Sequence, residues 1–142
     1  MIGEIIEGIN ARGKINQLKI ISDIGGPEEV SLDSLEVFFP SFRGRNVKFY
    51  HAADLRDHLR EGDRGVGLCH AECLMKIQWK IPKEWKEKFL FFPGTVFQEV
   101  RGEKLLYMPS MEWGYKGWVL QYSYIWRRDW KQQNHYFLRW KR

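Results

Sequence analysis

Hydrophobic and polar positions along this chain alternate more often than they cycle, and a period of two marks a strand with one buried face. Gln17-Leu18-Lys19-Ile20-Ile21 predicts a strand that ends at Gly25-Gly26-Pro27. Over residues 30–39, Leu35, Val37 and Phe39 share one face, and Pro40 stops the run. Val47-Lys48-Phe49-Tyr50 is a further strand candidate. Over residues 74–81, Met75, Ile77, Trp79 and Ile81 alternate with Lys76, Gln78 and Lys80, which predicts a strand with one buried and one cationic face. Segments 95–100 and 105–108 flank Arg101-Gly102-Glu103-Lys104, whose glycine suits a hairpin turn. A long strand is predicted over 118–127, with Trp118, Leu120, Tyr122, Tyr124 and Trp126 on one face and read as core. After the loop 128–134, a last strand over 135–140 aligns Tyr136, Leu138 and Trp140, and the two are expected to pair as an antiparallel hairpin.

Helical signals are fewer. Leu55 and Leu59 lie one turn apart within 52–60, and Gly62 follows as a stop. Pro82 suits a first helical position, so a short helix is predicted over 83–89, with Trp85 and Phe89 one turn apart. Residues 2–9 have apolar side chains at Ile2, Ile5, Ile6 and Ile9, a helical spacing weakened by Gly3 and Gly8, so a short helix and an irregular strand both stay open. The expected fold is α+β and strand-rich: a mainly antiparallel sheet of five to seven strands, curled or closed into a partial barrel, with one or two short helices.

Composition narrows the class. The 142 residues, 44% hydrophobic and 29% charged, fit one domain spanning 1–142 and exclude disordered, collagen-like and low-complexity chains. No apolar run approaches the roughly 18 to 20 residues of a membrane span, and the start Met-Ile-Gly-Glu-Ile-Ile-Glu lacks a signal-peptide pattern. A soluble, cytoplasmic protein without membrane partners is expected, its two cysteines, Cys69 and Cys73, reduced.

Charge is polarised. Residues 1–71 carry 9 basic and 11 acidic side chains, whereas 72–142 carry 14 and 7. In the last 30 residues seven basic side chains face only Asp129, and ten of the 30 are aromatic. Lysine and arginine neutralise phosphates, and exposed aromatic rings stack on bases. The expected function is therefore a non-enzymatic binding module for an anionic partner, nucleic acid or a nucleotide-like ligand, acting through a basic, aromatic C-terminal hairpin. Its expected ligand-binding residues are Lys76, Lys80, Trp113, Arg127, Arg128, Trp130, Lys131 and Arg139. Trp130, in a polar and basic loop, is the aromatic residue hardest to explain by burial.

A second expectation is an accessory or inhibitor protein, of the kind found on mobile elements, that blocks a larger protein's surface with Trp113, Tyr115 and Trp130 as anchors. Exposed aromatic edge strands would also permit a homodimer. A third is a small enzyme using His51 or His70. His70-Ala71-Glu72 resembles the His-x-Glu element of zinc deaminases, but the Pro-Cys-x-x-Cys that completes that metal site is missing, so no metal or catalytic role carries over. Lys48-Phe49-Tyr50-His51 with the following helix resembles the first block of ADP-ribosyltransferases. That resemblance implies ribose binding by His51 and catalysis by a later acid such as Glu99, although Ala52 and Ala53 stand where a Ser or Thr would follow the His. Cys69, Cys73 and the histidines do not have the paired spacing of a structural zinc site, and no phosphate loop or hydrolase elbow occurs. No metal, no cofactor and no catalytic residue is assigned.

Overall fold

A computed structural model describes residues 2–9, 15–26, 28–38, 65–124 and 135–141. The predicted strand at 47–50, the helix at 52–60 and the loop at 128–134 lie outside the described residues, as do Arg127, Arg128, Trp130, Lys131 and His51. In chain order the described elements are β1 (Ile5–Ile9), β2 (Ile15–Asp23), a 3-10 turn (Leu32–Ser34), β3 (Leu35–Phe38) and helix α1 (Leu68–Lys76). Two more 3-10 turns follow, Gln78–Lys80 and Lys83–Glu87, then β4 (Phe89–Phe91), β5 (Thr95–Glu99), β6 (Leu106–Gly114), β7 (Gly117–Tyr124) and β8 (His135–Trp140). They form the expected strand-rich α+β fold, a mostly antiparallel curled sheet that does not close.

The β6–β7 hairpin is the spine. Its register runs from Tyr107 opposite Tyr124 to Gly114 opposite Gly117, leaving only Tyr115 and Lys116 in the turn. The other edge of β6 is shared: Leu106 and Tyr107 pair with β5, and Ser110 and Met111 pair with β4. From Phe91 to Phe97 the chain advances six residues while its partner strand retreats three, from Ser110 to Tyr107, so residues 92–94 form a three-residue bulge. The sheet divides there into two wings, β5-β2-β1 and β4-β8-β3. Gly94 sits in the bulge because Val66 runs against it: its N–H donates to the Val66 carbonyl at 2.7 Å, and a Cβ would lie 2.6 Å from that oxygen.

One face of the sheet supports α1. Leu90, Met111, Trp118, Leu138 and Leu35 pack there against Ala71, Cys73 and Leu74 of the helix and against Trp85, while Leu18, Ile20, Phe97 and Tyr107 form a second cluster on the β5-β2 wing. Each such side chain, fully buried, contributes about 1.5–3 kcal/mol. Trp118, Leu120, Tyr122 and Tyr124 do share a core-facing side, Trp118 buried and the others half-buried. The opposite face is buried too, with Phe91 stacked against Phe89 and tilted against Phe137.

Three expectations are corrected. Segment 74–81 is not a strand: Leu68, Ala71 and Leu74 supply a three-residue apolar spacing that carries α1 through Lys76, and residues 78–80 form a 3-10 turn. The period-two pattern arose from the helix end running into that turn. The helix at 83–89 is a 3-10 turn ending at Glu87, and Phe89 already belongs to β4. Finally, among the described residues β7 and β8 do not pair: β7 folds back on β6, while β8 lies parallel to β4 and antiparallel to β3. A two-residue turn joins β7 to β6, so the local partner wins one edge of each strand. By contrast β5 and β6 pair as predicted across 101–104, with Gly102 and Lys104 at positive φ.

Candidate functional surface at the hairpin tip

Thr95 fixes where α1 begins. Its hydroxyl donates to Asp23 Oδ1 at 2.8 Å and accepts the Leu68 N–H at 2.8 Å, which satisfies one of the orphan donors in the first turn of the helix. His70, three residues past the Gly67 N-cap, accepts the Gly67 N–H on Nδ1 at 2.9 Å. That leaves the ring neutral with its proton on Nε2, which is buried without a hydrogen-bond partner, while the ring meets Trp140 edge-on at 5.2 Å. Burial pushes the His70 pKa below its ordinary value, against the pull of the Asp23 carboxylate. Burial also pushes the Cys69 and Cys73 thiols upward, away from thiolate reactivity.

At its other end α1 delivers the chain to the tip of the hairpin. Gln78, first residue of the 3-10 turn, accepts the Trp118 N–H on Oε1 at 3.1 Å. Gly117 allows this approach: it has φ +122°, and a Cβ there would lie 2.8 Å from the same oxygen. The Lys83–Glu87 turn flanks the tip as well, since Trp85 is buried beneath it and Lys86 Nζ sits 3.9 Å from the centre of the Trp113 ring. Trp113 stands directly across from Trp118, their rings edge to face at 5.9 Å.

This arrangement leaves three rings in solvent. Tyr115 is fully exposed at the apex of the turn, Trp79 is 75% exposed, and Trp113 is 43% exposed. Lysines accompany them: Lys80 follows Trp79, Lys116 follows Tyr115, and Lys86 covers Trp113. Residues 76–88 hold five lysines against Glu84 and Glu87.

Of the residues expected from sequence, the structure therefore brings Lys80 and Trp113 to the flanks of one tip, with Lys76 exposed at the end of α1. Arg139 is elsewhere, on β8, with Nε 2.9 Å from the Glu36 carboxylate of β3. Arg127, Arg128, Trp130 and Lys131 are outside the described residues. Trp79 was missed, because a period-two reading placed it on a buried face. A signal was available in its setting, a tryptophan between Gln78 and Lys80 just after a segment whose apolar residues also recur at helical spacing. Lys86, among the five lysines of this segment, engages the Trp113 ring.

His51 lies outside the described residues, and the described residues behind the enzyme reading do not converge. His70 is buried and Glu72 exposed, so the pair does not face one site. Glu99 is buried and accepts from Asn16 Nδ2 at 2.7 Å, the Leu105 N–H at 3.2 Å and the Tyr107 hydroxyl at 3.4 Å, a structural set of donors. Among the described residues no group of three His, Cys, Asp or Glu could hold a metal, and no helix is long and apolar enough to cross a membrane. Compared with known proteins, the chain matches no family model, no curated protein and no solved structure.

Proposed function

We propose that this protein is a non-enzymatic binding module for an anionic partner, nucleic acid or a nucleotide-like ligand, and that the β6–β7 tip with its two flanking turns is the contact surface. The observation that carries the reading is the exposure of Trp79, Trp113 and Tyr115 on a lysine-rich border. Large rings exposed together mark an interaction surface more often than isolated ones do, and lysines beside them favour a negative partner. The backbone under the rings is held by the Gln78–Trp118 bond and by the bonds of the 3-10 turn, Lys80 N–H to Ile77 O at 2.8 Å and Ile81 N–H to Gln78 O at 3.2 Å. Little backbone ordering is then required on binding.

The test is anisotropy of labelled oligonucleotides, single- and double-stranded, and of inorganic polyphosphate, titrated with the protein at low and moderate salt. Affinity should fall steeply as salt rises, and Lys80→Glu combined with Lys116→Glu should weaken every complex. Failure of all three probes to bind at low salt rules the reading out.

A further inference from the structure

We infer that the partner of this surface is unpaired nucleic acid, with bases stacked on Trp79 and Tyr115 and phosphates met by Lys80, Lys116 and Lys86. This rests on the anion-binding reading above and makes it specific. The repeating unit of a single strand is a flat ring joined to a negative phosphate. The tip repeats the complement of that unit, since Trp79 is followed by Lys80 and Tyr115 by Lys116. In a duplex the base faces are consumed by stacking, so rings this exposed find no counterpart there.

The three rings are not equivalent. Trp113 has Lys86 over its ring and the Trp118 ring beside it at a steep angle, and so presents an ammonium rather than a bare ring. Tyr115 has no such cover, and Trp79 is largely open. Stacking is thus assigned to Trp79 and Tyr115, and Trp113 serves to hold Lys86 in place. Gln78 ties the two stacking residues to one frame, because it precedes Trp79 and accepts from Trp118, three residues beyond Tyr115. An acidic protein surface would satisfy the lysines but offers no series of planar rings for Trp79 and Tyr115.

The full chain is titrated with oligothymidylate of roughly a dozen nucleotides, its duplex with oligoadenylate, inorganic polyphosphate of matched charge, and vesicles of phosphatidylserine and phosphatidylcholine. Tryptophan fluorescence and anisotropy are read together. The single strand should bind at least about tenfold more tightly than duplex or polyphosphate and quench tryptophan emission. Trp79→Ala and Tyr115→Ala should each weaken it by about 5- to 150-fold, the loss of one stacked base, with circular dichroism and urea midpoint unchanged because both side chains are exposed. Equal affinity for single strand and polyphosphate, or unchanged affinity in both variants, overturns the inference while anion binding stands. Preference for duplex or for vesicles overturns it as well. If nothing binds, both this inference and the reading beneath it fall. Capture of an acidic protein without oligonucleotide binding also overturns it.

Discussion

Replacing Thr95 by valine keeps the shape of a fully buried side chain and deletes one oxygen, and that oxygen serves two elements at once. The Leu68 N–H at the start of α1 loses its acceptor, a change of the kind that costs about 0.5–2 kcal/mol at helix N-termini. The hydroxyl bond to the Asp23 carboxylate, worth about 1.5–3 kcal/mol as a bond to a charged group, is lost as well. Asp23 Oδ1 still accepts the Gly25 N–H at 3.1 Å, and the added methyl gains about 0.8 kcal/mol of burial, so the losses are partly offset. A net destabilisation of about 2–3 kcal/mol is expected, read as a lower urea midpoint with an unchanged m-value. Thr95→Ser is the control: it keeps both bonds and loses one buried methyl, about 1 kcal/mol. A Thr95→Val midpoint equal to wild type, or a serine variant as unstable as the valine variant, would refute the role given to this hydroxyl.

His70 makes a pH prediction whose sign follows from its lowered pKa. The unfolded chain takes up a proton near pH 6.5, the ordinary value, while the buried ring stays neutral to lower pH, so stability is full above that value and declines as pH falls from it toward the folded pKa. Urea midpoints measured from about pH 7.5 to 5.5 should drop more in wild type than in His70→Gln, and parallel curves would contradict the assignment. Gly94→Ala should destabilise by about 1–3 kcal/mol through overpacking against the Val66 carbonyl; a thermal midpoint unchanged from wild type would show that the bulge relaxes freely.

Several features were legible without coordinates, each for a local reason. The 95–108 hairpin is announced by two alternating runs and a turn containing Gly102, and the shared face of Trp118, Leu120, Tyr122 and Tyr124 follows from strand period alone. Lys80 and Trp113 were identifiable because lysine and tryptophan in polar surroundings stand out in composition. Trp79 was not, since Met75, Ile77, Trp79 and Ile81 satisfy a strand template while Leu68, Ala71 and Leu74 satisfy a helical one over the adjoining turns. Where two periods overlap, packing decides, and α1 wins by burying Ala71, Cys73 and Leu74 on the sheet.

By itself, then, the sequence determined which side chains seek a core, that strands dominate, and that positive charge and aromatic rings gather in the second half. Tertiary structure alone decided the partners. The parallel contact of β4 with β8, the antiparallel contact of β8 with β3 and the bulge at 92–94 join positions distant along the chain, and pairing energy there depends on edges that exist only once the sheet forms. The same holds for the tip: Gln78 reaches across to Trp118 and Lys86 to Trp113, contacts that bring both 3-10 turns to the β6–β7 hairpin and that no periodicity encodes.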